Sequence, residues 1–154
     1  MSTQKITPFL WFDGNAEEAM NLYTSIFPNS RIKGTMPGPG GKIMGGTFEL
    51  NGQDFMVLNG GPMFRFTEAI SLYVNCDTQE EIDDKWNKLI AGGGEPSMCG
   101  WLKDKFGLSW QIIPDVLPKL IGSSDRKKAD AAMKAMLKMK KIVIADLQRA
   151  YDEA

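Results

Sequence analysis

Short stretches of this chain alternate apolar and polar residues with the period of a strand, and three longer ones carry apolar residues at helical spacing. Ile6–Phe12 is apolar and aromatic and reads as a strand, and Asp13-Gly14-Asn15 is a turn in which Asn15 is placed to cap the next helix. Ala19, Met20, Leu22, Tyr23, Ile26 and Phe27 predict that helix from Ala16 to Phe27 with one buried face, ended by Pro28-Asn29. Arg31–Lys33 predicts a short strand, Gly34–Gly41 a flexible loop, and Ile43–Leu50 and Asp54–Asn59 a pair of strands joined by the hairpin signal Asn51-Gly52. Gly60-Gly61-Pro62 stops the last of them.

The same order then returns. Ala69–Asn75 alternates like a strand, Asp77 or Thr78 is placed to cap a helix Gln79–Ala91, and that helix buries Ile82, Trp86, Leu89 and Ile90 before Gly92-Gly93-Gly94. Met98–Leu102 predicts a short strand, Asp104–Gly107 a turn stabilised by its aspartate, and Leu108–Ile113 a closing strand. Residues 6–59 and 69–113 therefore share one order of elements, an internal repeat of two βαβββ modules. After Pro114 the pattern is helical. Pro114–Ile121 predicts a short helix or lead-in. Ala132, Met136, Met139, Val143, Leu147 and Tyr151 predict one long helix from Ser124 or Asp125 to about Asp152. Its segment 126–141 holds seven lysines or arginines and one acid, Asp130, and reads as a solvated face opposite a docking stripe.

Composition narrows the chemistry. The chain has 154 residues, a net charge of −1 and no histidine. That charge gives no electrostatic reason to expect a nucleic-acid or membrane partner. No apolar run approaches the roughly 20 residues of a membrane span. The opening Met-Ser-Thr-Gln-Lys-Ile lacks the apolar stretch of a signal peptide, and Cys76 and Cys99 stand apart, so a cytoplasmic protein with reduced thiols is expected. Without imidazole the usual ligand for zinc, nickel, copper or iron is missing, and a cysteine nucleophile has no histidine base. The glycine-rich stretches Gly34–Gly46 and Gly92–Gly94 lie between two strands and after a helix. Neither has the strand-to-helix setting of a nucleotide cradle.

Several longer motifs carry a resemblance. Ile6-Thr-Pro-Phe-Leu-Trp-Phe-Asp-Gly-Asn-Ala-Glu-Glu-Ala with Phe27-Pro-Asn-Ser, Leu58-Asn-Gly-Gly-Pro, Cys99-Gly-Trp-Leu-Lys-Asp-Lys-Phe-Gly-Leu-Ser-Trp-Gln-Ile-Ile-Pro and Met133-Lys-Ala-Met-Leu-Lys-Met-Lys-Lys resemble PhnB-like proteins. That group carries the label 3-demethylubiquinone-9 3-methyltransferase domain and lies in the glyoxalase/bleomycin-resistance/dioxygenase, or vicinal oxygen chelate, superfamily. The resemblance implies an α+β fold. Two βαβββ modules (about 5–62 and 66–114) form a U-shaped mixed sheet around a cup, followed by a helical extension (115–154), usually as a homodimer. It also implies four cup positions, falling on Thr7, Asn59, Ser71 and Gln111, where metal-binding members carry largely histidine and glutamate.

All four are neutral here, so no metal and no other cofactor is expected. Glu49 and Glu68 lie near strands but at none of these positions. Strand alternation groups Thr7, Phe9 and Trp11 on one face, with Phe55, Val57 and Asn59 on the same side. Ser71 and Tyr73 share another face with Ser109 and Gln111, and Trp101 is a further candidate. The apolar set Leu10, Phe12, Met56 and Leu58 should then lie under the helices, as should Ile70, Leu72, Val74, Leu108, Trp110 and Ile112. An aromatic face with a few polar groups suits a small apolar or aromatic ligand. The other readings are a superfamily enzyme (the methyltransferase of the label, or a metal-dependent isomerase, lyase or dioxygenase) and a scaffold that associates through its C-terminal helix.

Overall fold

The Asn51-Gly52 dipeptide sets the register of the first sheet. Both residues take positive φ (47° and 86°), the requirement of a tight hairpin turn whose twist matches its strands. In the computed structural model, which describes residues 3–154, this turn joins β3 (Ile43–Leu50) to β4 (Gln53–Asn59) and pairs Phe48 with Phe55. Met1 and Ser2, the start of the segment read for a leader, lie outside the described residues. Strand β1 (Phe9–Phe12) runs parallel to β4, and β2 (Arg31–Pro37) antiparallel to β3, giving the order β1-β4-β3-β2. Helix α1 (Ala16–Ile26) buries Ala16, Ala19, Met20, Tyr23 and Ile26. Tyr23 meets Phe48 at a centroid distance of 6.2 Å, and Phe48 stacks on Phe55 at 5.2 Å.

Two expectations change in this unit. Strand β2 extends to Pro37, into the segment read as a loop. As an edge strand with register shifts after Ile32 and Met36, it tolerates a proline that has no N–H to give. Asn15 makes no side-chain cap. The amide of Asn59 takes over, its Oδ1 accepting from Ala16 N at 2.9 Å while its Nδ2 donates to Ile43 O at 2.9 Å.

The second unit repeats the connectivity. Strands β5 (Ser71–Cys76), β6 (Glu95–Pro96), β7 (Trp101–Lys103) and β8 (Ser109–Pro114) form a sheet of order β5-β8-β7-β6, with β5 parallel to β8. Each module thus pairs its first strand in parallel with its last, and the two open mixed sheets are those of the expected βαβββ repeat. The two-residue strand β6 is too short to leave an apolar pattern in the sequence. Helix α2 (Gln79–Ile90) opens on Thr78, whose side chain accepts from Glu81 N at 3.1 Å, and it buries Ile82, Trp86 and Leu89. Divided by compactness, the chain falls into Met1–Phe66 and Thr67–Ala154, so the helical extension belongs with the second module.

The short helix expected over Pro114–Ile121 is α3 (Val116–Ile121), whereas the long helix expected to follow is instead two pieces, α4 (Arg126–Leu137) and α5 (Ile144–Asp152). No glycine or proline breaks it between 126 and 152. Tertiary hydrogen bonds do so. Cys99 N and Gly100 N donate to Met139 O and Lys140 O, each at 2.8 Å. Gln79 reaches the same segment from α2, its Nε2 donating to Ile142 O at 3.0 Å and its Oε1 accepting from Ile144 N at 2.8 Å. Ile142 is then fully buried with Ile113, Leu117, Leu120, Ala132 and Leu147. Gly100 has φ +85°, and a Cβ there would fall 2.7 Å from Ile113 Cδ1, so only glycine allows this approach. Within the basic segment, Lys141 pairs with Asp83 at 2.8 Å and Lys128 lies over the Tyr151 ring at 5.4 Å. No helix among the described residues is long and apolar enough to cross a membrane.

Candidate functional site

The second sheet presents its polar and aromatic candidates as two rows. Cross-strand partners share a face, and the register aligns Ser71 of β5, Ser109 of β8 and Lys103 of β7 in one row. The next row on the same face is Tyr73, Gln111 and Trp101. The opposite face carries Leu102, Trp110 and Ile112, all buried, on the side covered by helix. The strand alternation therefore sets Ser71, Tyr73, Ser109 and Gln111 on one face, the grouping read from the sequence, and the register adds Trp101 to it.

Their hydrogen bonding is specific. Gln111 Nε2 donates to Ser71 Oγ at 2.9 Å. Ser109 is buried, and its hydroxyl has no partner among the described residues. Trp101 and Gln111 are half-buried, whereas Tyr73 is 48 % exposed. Partial burial, with the negative charge of Asp115 adding to it, raises the Tyr73 phenol above its ordinary range, which keeps it a neutral hydroxyl. Lys103 forms an ion pair with Glu68, from the loop before β5. That contact, first by hydrogen bond and then by charge, lowers the Glu68 carboxyl and raises the Lys103 ammonium. Lys103 is the functional candidate that the sequence reading missed. It lies two residues beyond Trp101, where alternation returns it to the same face, but the strand was expected to stop at Leu102.

The first sheet divides differently from expectation. Parallel register aligns Phe9 with Met56 and Trp11 with Leu58, whereas Leu10 pairs with Val57 and Phe12 with Asn59. Phe55 and Val57 are buried, and Asn59 binds the start of α1, so this set lies under the helix. Asn59 does not share the face of Phe9 and Trp11; Met56 and Leu58 do. The local pattern misled because both faces of β4 are apolar, and the pairing with β1 decides between them. Thr7 precedes β1 and accepts from Gln4 Nε2 at 3.4 Å. Phe9 stands 54 % exposed. Trp11 is held firmly, its Nε1 donating to Gly61 O at 2.9 Å and its ring meeting the Phe64 edge at 4.9 Å. A Cβ on Gly60 would sit 2.4 Å from that ring, so the Gly60-Gly61 backbone lies directly against the indole.

The positions matched to the superfamily's metal ligands do not fit a metal. Thr7, Asn59, Ser71 and Gln111 offer hydroxyls and amides, with neither carboxylate nor imidazole. Asn59 is committed to α1 and Ile43, and Ser71 and Gln111 to each other. Among the described residues no three carboxylate, cysteine or histidine side chains converge. Of the two thiols, Cys76 is fully buried and burial pushes it up to about 12, far from a thiolate at neutral pH, whereas Cys99 is half-buried with φ +58°.

Comparison with known proteins agrees with this architecture. A PhnB protein from Bacillus cereus is 45% identical, with a TM-score of 0.67, over 72% of this chain and 99% of its own. A genomically encoded fosfomycin resistance protein from Listeria monocytogenes, solved with Mn(II) and sulfate, shares the fold at 14% identity and a TM-score of 0.55, over 83% of this chain and 98% of its own. A glyoxalase-related enzyme from Fulvimarina pelagi does so at 14% identity and a TM-score of 0.50, over 74% of this chain and 91% of its own. No curated protein matches the chain. The family model for 3-demethylubiquinone-9 3-methyltransferase matches residues 4–113. The chain belongs to that PhnB-like family, and its paired modules have the fold of the glyoxalase/bleomycin-resistance proteins.

Proposed function

We propose that this protein binds a small molecule with an apolar or aromatic body on an open sheet face, without a coordinated metal. The observation that carries the reading is the register of the second sheet, which sets Ser71, Tyr73, Trp101, Ser109 and Gln111 on one face. Phe9, Trp11, Met56 and Leu58 supply a second aromatic and apolar face in the first module. Aromatic surface beside a few fixed polar groups is the usual make-up of a small-ligand site. The donor set at Thr7, Asn59, Ser71 and Gln111 supports a metal-free mode. Methyl transfer has less support. The glycines from Gly34 to Gly46 lie within β2, β3 and their connection, which holds a single 3-10 turn at Pro39–Gly41, and Gly92–Gly94 come after α2, so neither opens an α-helix after a strand. We read the protein as a cytoplasmic homodimer with no nucleic-acid or membrane partner.

Native mass spectrometry of protein purified without added metal, repeated after dialysis against zinc, nickel, manganese and magnesium, tests the reading. A dimer that carries a co-purified organic mass and no stoichiometric cation is expected. One cation per subunit at saturable occupancy overturns the metal-free part. A monomer overturns the dimer. Unchanged tryptophan fluorescence across a panel of neutral and charged aromatic compounds overturns ligand binding itself.

A further inference from the structure

Resting on that reading, we propose that the open face of the second sheet selects ligands with an aromatic body and an anionic carboxylate, the anion being taken by the row Ser71, Ser109 and Lys103. The argument is a count of donors and acceptors. Lys103 brings an ammonium, which only donates. Ser71 Oγ already accepts from Gln111 Nε2, which leaves its own proton to give. Ser109 is buried and its hydroxyl has no partner among the described residues, an unfavourable state that a ligand or water relieves. The row therefore offers donors on three neighbouring strands, spaced by about 4.8 Å from one strand to the next. A carboxylate spans one such step and accepts from two of them.

Glu68 shows the kind of group this row accepts. Its carboxylate occupies Lys103 in the free protein. The glutamate side chain is 60% exposed and that of Lys103 39%, so water screens the pair. A pair screened in this way adds little, and an incoming carboxylate replaces it readily. The adjoining row supplies what an aromatic body needs, the half-buried Trp101 and the exposed Tyr73, with Gln111 between them. An aromatic carboxylate laid across the two rows meets ring with ring and anion with cation. A neutral aromatic compound such as benzamide gains the ring contact and a neutral hydrogen bond, without the pairing of opposite charges.

Tryptophan fluorescence titration with benzoate, and with benzamide as its neutral counterpart, tests the proposal on the wild-type protein, Lys103→Met and Glu68→Gln. Benzoate is expected to bind at least tenfold more tightly than benzamide. Lys103→Met should abolish that preference, weakening benzoate far more than benzamide. Glu68→Gln, which frees the ammonium, should tighten benzoate severalfold and leave benzamide alone. It also serves as the check if the methionine variant fails to fold. Equal affinity for the two compounds in the wild type, or a benzoate affinity indifferent to both substitutions, overturns the proposal. Benzamide binding without any benzoate preference overturns this inference alone. If neither compound binds, this inference fails, and if no aromatic compound of any charge does, the reading under Proposed function fails with it.

Discussion

Asp104 accepts the indole N–H of Trp110 at 2.9 Å, within a buried turn. Its other oxygen accepts from Phe106 N at 2.9 Å and Leu108 N at 3.1 Å. One carboxylate thus closes the β7–β8 turn and fixes the large side chain that fills the helix side of the second sheet. Because Trp101 and Lys103 precede this turn and Ser109 and Gln111 come after it, its geometry sets how the two rows of the candidate site align.

Removing either partner strands the other in the interior. Asp104→Ala orphans three donors, and Trp110→Phe leaves a buried carboxylate oxygen short of one. Each is expected to lower stability by about 2–4 kcal/mol in urea unfolding. The double variant should lose clearly less than the sum of the two, with a coupling of about 1 kcal/mol or more. Strict additivity would show that the two residues act independently.

The start of α1 gives a sharper contrast. Asn15 has the sequence position of a cap and makes no side-chain cap bond, whereas Asn59, on β4, accepts from Ala16 N and donates to Ile43 O. Asn59→Ala is therefore expected to cost about 1–2 kcal/mol, and Asn15→Ala less than about 0.5 kcal/mol. Thermal or urea unfolding of the two variants ranks them, and the reverse order would refute the assignment of the cap to Asn59.

These residues also mark where sequence reading succeeds. Asn51-Gly52, Thr78 and the Asp104 turn are legible because their physics is local, with positive φ or a side chain bonding a nearby amide. The face of Asn59 is not, since Phe55, Met56, Val57 and Leu58 are all apolar and only the parallel pairing with β1 distinguishes their sides. The break after Leu137 is not legible either. Residues 138–143 are compatible with helix, and what ends it is a set of acceptors engaged by Cys99, Gly100 and Gln79, far away in sequence. Lys103 escaped notice for a smaller reason, a strand one residue longer than its apolar pattern.

The docking of the extension carries a pH dependence. Hydrogen bonds from Lys141 and Gln79 hold the Asp83 carboxyl below the usual carboxylate range. A depressed folded value means that this stabilisation is fully present above the unfolded carboxylate pKa, about 3.9. It is lost as pH falls through the folded value. Because the group is exposed, water screening limits it to at most about 0.5 kcal/mol. Asp83→Asn should therefore leave a slightly flatter stability curve on the acid side. Gln79→Ala, which removes two bonds to the segment, should cost more at every pH and speed hydrogen exchange at the Ile144 amide. An Ile144 amide that exchanges equally in wild type and Gln79→Ala would contradict the clamp.

The two cysteines should separate cleanly in a thiol titration. Cys76 is fully buried at the end of β5, and its thiol is pushed up to about 12 by burial first and by the charge of Glu81 second. At neutral pH almost none of it is thiolate, and reagent has no path to it in the folded state. Cys99 is half-buried, with its backbone N–H bound to Met139 O. A disulfide-exchange reagent at pH 8 should therefore label one thiol per chain in native buffer and two in guanidinium. Cys99→Ser should abolish the native reaction, and Cys76→Ser should leave it unchanged. Native labelling that survives Cys99→Ser would mean that the β5 end opens to solvent, against the burial of Cys76.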